Sequence, residues 1–174
     1  MSKTILSPDR KFRYVLHRSV PCELRWVKSI IFVMINPSTA DETLPDRTIQ
    51  KCEAIAKIHK CTDLYVVNLF PLRTKDVKEV EKYLGNTPAS EYREIDKENW
   101  RYFDNVFTSS LDPIIICGWG KYDKIRPTKW QAKEFLKRYG HMKLKCLKIN
   151  SDGSPKHPLF VRANTELLDY TGQI

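Results

Sequence analysis

No apolar run in the chain approaches the roughly 18 residues that a bilayer-spanning helix needs. The opening MSKTILSPDRK lacks the apolar stretch of a secretory signal, so a cytoplasmic location and no membrane partner are expected. Paired cysteines are missing as well. Cys22, Cys52, Cys61, Cys117 and Cys146 are odd in number and form no Cys-x-x-Cys. Structural thiols in a reducing compartment fit this better than a disulfide framework. The four histidines are scattered, and none stands at ligand spacing from a cysteine. No metal and no other cofactor is expected. Internal repeats are absent, and 174 residues leave little room for a second core.

Acidic residues are also scarce. Thirty Lys and Arg face 21 Asp and Glu, a formal net charge of +9. The excess is local. From Lys121 to Lys148, ten basic residues oppose only Asp123 and Glu134. Such a patch attracts polyanions, of which nucleic acid is the commonest. It can equally be a solvated helix face, since Lys129, Lys133 and Lys137 stand four apart. Composition leaves both readings open. Hydrophobic residues at 41% and charged residues at 29% are otherwise ordinary for a globular domain, and a monomer is expected.

Four short apolar runs read as strands. Ile30–Ile35 is β-branched and continuous, the pattern of a strand buried on both faces in a parallel sheet. Leu64–Val67, Ile114–Cys117 and Leu144–Ile149 follow. Interleaved lysines mark the last as an edge strand. Upstream, alternating Phe12, Tyr14 and Leu16 suggest a strand that can pair with Leu24–Val27. Helical stripes fill the gaps. One is Ile49, Cys52, Ile55, Ala56 and Ile58; another is Val77, Val80 and Leu84, ended by Gly85. A third runs through Tyr92, Ile95, Asn99, Phe103 and Val106. The fourth is Ala132, Phe135, Leu136 and Tyr139, opened by a Thr128–Gln131 capping box and stopped by Gly140. Strands alternating with helices predict an α/β domain of three αβα layers. Its central sheet is mainly four-stranded and parallel. Residues 1–28 form an added antiparallel hairpin, 29–162 the core and 163–174 a C-terminal tail.

Ligands of such sheets bind beyond the carboxyl ends of the strands, so the residues that follow each run carry the functional interest. After the first come Asn36, Pro37, Ser38, Thr39, Asp41 and Asp46. Asp46 or Thr48 can cap the next helix, yet one cap does not need so many polar groups. After the second comes Asn68, whose amide can donate and accept at once, as base-edge reading requires. It can also be a buried amide serving loop backbone. After the third comes Gly118-Trp119-Gly120-Lys121. The glycines permit close backbone approach, and Trp119 either stacks on a base or fills the core. After the fourth comes His157, between Lys156 and Pro158, a candidate donor to a developing anion. Asn99 interrupts an apolar helix stripe. It is a satisfied core amide or a support behind the site.

FVMINPSTAD, VVNLFPLRTKD, ICGWG and SDGSPKHPLFV resemble a family with an NPSTAD signature and no assigned function. The likeness runs from about Tyr14 to Val161. This chain has Asp46-Arg47-Thr48 where that family usually has Asp-Pro-Thr, and Asn99-Trp100 where it usually has Asn-Asp. The order Asn-Pro, Asn, Trp-Gly and late His-Pro is also similar, more distantly, to the uracil-DNA glycosylase superfamily. There the first motif can read Gly-Ile-Asn-Pro-Gly, against Met34-Ile35-Asn36-Pro37-Ser38. The last reads His-Pro-Ser, against His157-Pro158-Leu159.

The second resemblance implies a glycosylase-like fold and the hydrolysis of an N-glycosidic bond to a damaged or modified base in DNA. It implies Asn36 for positioning water and His157 for the leaving base. An amide takes no proton at neutral pH, so Asp41 or Asp46 would be the general base. Asn68 would read the base, Phe70 or Trp119 would stack on it, and Pro37, Ser38, Gly120 and Pro158 would shape the pocket. Arg73, Lys121, Lys124, Arg126 and Lys156 would hold the DNA backbone around a flipped nucleotide. The alternatives are a nucleic-acid or nucleotide binding module of the same fold, and a hydrolase of free nucleosides or nucleotides.

Overall fold

The doubly buried character read in Ile30–Ile35 is realised in a strand at the centre of a seven-stranded sheet. The structure is a computed structural model describing residues 3–22, 26–39 and 46–172. Its elements, in chain order, are β1 (Lys3–Leu6), β2 (Arg13–Ser19), β3 (Ser29–Met34), α1 (Arg47–Ile58), β4 (Asp63–Asn68), α2 (Lys78–Asn86), α3 (Ala89–Thr108), β5 (Ile114–Cys117), α4 (Pro127–Tyr139), β6 (Leu144–Cys146) and β7 (Leu168–Asp169). The strand order is β1-β2-β4-β3-β5-β6-β7. The four strands β4, β3, β5 and β6 run parallel. Antiparallel strands flank them, β2 on β4 and β7 on β6.

Side chains of β3 alternate between two cores. Ile31, Val33 and Ile35 join Phe103, Phe107 and Phe135 of α3 and α4 on one face. Ile30, Phe32 and Met34 join Ile49, Cys52 and Ile55 of α1 on the other. Helices therefore cover both faces, as continuous apolar strands require. The α1 stripe forms because Ile49, Cys52, Ile55 and Ala56 repeat at helical spacing, and all are buried. Ile58, expected in the stripe, is 50% exposed, because it falls off that arc. Among the described residues no helix is long and apolar enough to cross a membrane.

Three expectations need correction. The partner of β2 in the N-terminal hairpin is Lys3–Leu6. Trp26 and Val27 of the expected partner are exposed and outside any strand, and Leu24 lies outside the described residues. The hairpin is also continuous with the main sheet, because β2 pairs with β4. Second, residues 163–174 are not merely a tail. They supply β7, which covers the edge of β6, and Tyr170, buried against Trp119. Lys145 of β6 accordingly reaches Asp169 at 2.6 Å. The last expected strand ends at Cys146, three residues before Ile149. Third, Thr128 and Gln131 do not form a capping box. Both side chains are fully buried, and α4 has no side-chain cap. Pro127 starts the helix instead, supplying a preset φ where no N–H is needed.

Candidate functional site

A pocket of about 400 Å³ opens beyond the carboxyl ends of β3 and β5, within the size range of ligand sites. Ile35, directly after β3, forms part of its wall, and Val77 at the start of α2 forms another. Trp119, Gly120 and Lys121 come from the loop after β5. Asn150, Lys156, His157, Leu159 and Phe160 come from the segment after β6. Of the residues expected at the site, the fold brings Trp119, Gly120, Lys121, Lys156 and His157 together here.

Two glycines make this meeting possible. A Cβ at Gly118 would stand 2.9 Å from the Pro158 ring. The close approach read at this glycine is therefore made to Pro158, which is buried. Gly120 has φ +83, a left-handed conformation that a side chain disfavours, and its N–H donates to Pro155 O at 2.9 Å. The two loops are thus clamped together. Beyond them Asp152 and Gly153 form a turn, and Asp152 accepts from the Tyr122 N–H at 3.0 Å. His157 Nδ1 accepts from the Leu159 N–H at 3.3 Å. In the neutral ring that places the proton on Nε2, making Nε2–H a donor. Phe160, 65% exposed, lies at the pocket with its ring 5.9 Å from that of His157. Trp119 is 1% exposed and packs edge-on against Phe135 and Tyr170. It serves the core while forming part of the pocket wall.

The other expected residues lie elsewhere. Asn36 Nδ2 donates to Pro37 O and Thr74 O, at 3.2 and 3.0 Å, stapling the loop after β3 to the loop after β4. Asp46 is the N-cap of α1. Its Oδ1 accepts from the N–H groups of Thr48 and Ile49, at 2.7 and 3.3 Å, and its Oδ2 from the Ser38 hydroxyl at 2.5 Å. Burial pushes the Asp46 carboxyl up. The Ser38 hydroxyl, the two backbone N–H groups and the nearby Arg13 guanidinium outweigh this and hold it below the usual range. Pro37 and Phe70 are buried, Phe70 in the α3–α4 core. Arg73 donates to Arg10 O and Thr39 O. Arg126 is exposed and reaches Glu81 at 3.7 Å. Asp41, and the side chain of Lys124, lie outside what is described.

The amides form a separate, closed cluster. Asn68 is the last residue of β4 and is buried, with neither end of its side-chain amide hydrogen-bonded among the described residues. Asn99 Nδ2 donates to Asn68 O at 3.0 Å. Gln131 Nε2 donates to Leu69 O at 3.1 Å and to Asp96 Oδ1 at 2.6 Å. Trp100 Nε1 completes the set on Asp96 Oδ2 at 3.0 Å. Burial raises the Asp96 carboxyl, against the lowering effect of the Gln131 and Trp100 bonds. Asn99 thus braces the backbone of the chain leaving β4. Gln131, whose spacing from Thr128 suggests a helix cap, instead supports the Leu69 carbonyl and Asp96, a role that its sequence position does not signal. Asn150 was missed too, although the strand-end rule that selected Asn68 also points to it.

Among the described residues no group of three or more His, Cys, Asp or Glu is placed to hold a metal ion. The five cysteines are free thiols. Burial drives the Cys52 and Cys117 thiols far up, and that of Cys61 to about 11. They are poor nucleophiles. The profile of a family described as "Protein of unknown function (DUF1643)" matches residues 13–159. No curated protein and no solved structure matches the chain.

Proposed function

The chain belongs to the DUF1643 family, and we propose that it is a glycosylase-like hydrolase acting on a damaged or modified base in DNA. The observation that carries this reading is the meeting of His157 with Lys121, Lys156 and an apolar wall in one pocket. An apolar wall suits the faces of a base, and two cations suit the phosphates beside it. A donor at Nε2 suits the leaving base. In the reaction, water oxygen bonds to the sugar C1′ as the bond from C1′ to the base nitrogen breaks. The bonding pair moves onto the base, where His157 stabilises it. Water loses a proton to a general base. Asp46 already accepts three hydrogen bonds, so Asp41 is the better candidate of the two aspartates.

Oligonucleotides carrying varied modified bases provide the test, with abasic sites read by alkaline strand cleavage. The expected result is cleavage with one class of base, lost in His157→Ala. No abasic site on any substrate, together with no DNA binding, would end this reading.

A second reading is favoured by one observation: Asn36 and Asp46 are both fixed in loop-building bonds. In that case the pocket binds a nucleotide unit without turnover. The same variant separates the two. Turnover lost with binding retained supports the hydrolase, whereas binding lost with no turnover to lose supports the module.

A further inference from the structure

The segment that follows β6 folds back on itself around Asp152 and Gly153. Ile149 bridges to Pro155, and the Lys156 N–H donates to Lys148 O at 2.7 Å. The two arms carry Asn150 and Lys156 to the pocket of His157. The turn between them occupies most of the hydrogen-bonding groups of Asn150. Its N–H donates to Ser154 O at 2.8 Å, and its carbonyl accepts from the Gly153 N–H at 3.0 Å. Its Nδ2 donates to Ser154 Oγ at 3.0 Å. Its Oδ1 has no hydrogen-bond partner among the described residues.

Asp152 decides which end of that amide faces Ser154. Its Oδ1 accepts from the Ser154 hydroxyl at 2.5 Å and from the Ser154 N–H at 3.1 Å, and its Oδ2 accepts from the Tyr122 N–H at 3.0 Å. Burial pushes the Asp152 carboxyl up. The Ser154 hydroxyl, the Tyr122 N–H and the Ser154 N–H outweigh this and hold it below the usual range. As an anion it can only accept. The single Ser154 hydroxyl proton is therefore committed to Asp152, and Ser154 Oγ has only lone pairs to offer Asn150. An amide turned the other way would set Oδ1 against those lone pairs. Ser154 is 0% exposed and is not part of the pocket wall. Nδ2 is thus tied to the interior, and Oδ1 is the atom of Asn150 left for a ligand.

We propose that Asn150 Oδ1 is the acceptor by which this pocket selects its ligand, and that it takes an N–H on the edge of the bound base. The assignment rests on reading the pocket as a base site, but not on base cleavage there. The other polar side chains of the wall only donate toward a ligand. Lys121, Lys156 and Trp119 carry no acceptor, and His157 Nδ1 already accepts from the Leu159 N–H. Carbonyls, ring nitrogens and phosphate oxygens are therefore served by several groups, and an N–H by one. A base with no N–H at this place covers Oδ1 and leaves it unpaired, which is how a polar site rejects close analogues. Ser154 acts as a positioning residue, because its lone pairs hold the amide in the accepting orientation.

The test is calorimetric titration of the full chain with free bases, each against a form whose N–H is blocked by methyl. Adenine and cytosine are compared with their exocyclic N-dimethyl forms, and thymine and hypoxanthine with their ring N-methyl forms. At least one parent base is expected to bind about tenfold or more tightly than its methylated form. Asn150→Leu removes the acceptor and should bring that ratio to about one. Should Asn150→Leu not fold, as judged by its melting temperature, Asn150→Ala removes the same acceptor without the bulk. Ser154→Ala frees the amide to turn, so the ratio should fall while the methylated form binds as before. Absence of binding by every parent base would overturn the assignment. So would a ratio near one in the wild type, or a ratio that survives Asn150→Leu and Asn150→Ala. Abasic-site assays on modified-base oligonucleotides separate this outcome from that of the hydrolase. Abasic sites with no methyl-dependent ratio retain the hydrolase and end the role of Asn150, whereas a ratio without abasic sites retains Asn150 and ends the hydrolase.

Discussion

Two polar regions lie at the carboxyl ends of the same parallel strands, and they differ in what their side chains do. After β5 and β6, His157, Lys121, Lys156 and Asn150 border an open pocket. After β4, Asn68 is sealed inside, and the buried amides of Asn99 and Gln131 brace the carbonyls of Asn68 and Leu69. The strand-end rule selects both regions equally. The difference arises from what lies over each strand end. Helices α3 and α4 close over β4 and bring their own amides to it. Beyond β5 the chain instead turns through glycines into a rim of loops. A polar residue after a buried strand is thus a site residue in one place and a structural support in the other.

Substitutions can sharpen or break this contrast. The largest effect is expected at Trp119, which borders the pocket yet belongs to the core. Trp119→Ala should destabilise the protein by about 3–5 kcal/mol, the usual cost of a large core truncation, measured by chemical denaturation. Near-wild-type stability would move Trp119 into the group of ligand-facing residues. Gln131→Ala comes next. It leaves Leu69 O with only the long Asn99 Nδ2 contact at 3.5 Å and removes a donor from Asp96, for a loss of about 1–3 kcal/mol. DNA affinity should be unaltered if the amide cluster is purely structural.

Asp46→Ala should cost about 1 kcal/mol, as loss of an N-cap does, and it should flatten the acid limb of stability. The sign follows from a carboxyl whose folded pKa is depressed. Its contribution is full above the ordinary value of 3.8 and is lost as pH falls through the lowered folded value. A pH–stability profile unchanged by the substitution would contradict the capping role. The smallest stability effect is expected at His157. It stands at the pocket, so His157→Ala should shift stability by no more than about 0.5–1 kcal/mol while altering binding or turnover. A large loss of stability would place His157 with the braces instead.

The parallel core was legible because a strand buried on both faces must be apolar throughout. Ile30–Ile35 and Ile114–Cys117 carry that signature. The meeting of Trp119, Lys121, Lys156 and His157 was legible for a related reason, since loops at one end of parallel strands are neighbours. The partner of β2 was not legible. Lys3–Leu6 and Leu24–Val27 are both plausible short strands by pattern, and only register with the bulge at Tyr14 separates them. The fate of Asn68 was open for the same kind of reason: an amide looks alike in sequence whether a helix covers it or not.

By itself, then, the sequence determined the local terms: which segments bury both faces, where helices repeat, and which polar residues stand at strand ends. Tertiary structure alone decided which of those residues face a cavity. It closed α3 and α4 over Asn68, fixed Asp46 to the first turn of α1, and used the C-terminal segment to cover β6. The physical reason is that burial and hydrogen-bond partnership are properties of segments brought together from afar. Asn68 and Asn99 are 31 residues apart in the chain, and nothing local to either marks the Asn99 amide as the brace of the Asn68 carbonyl.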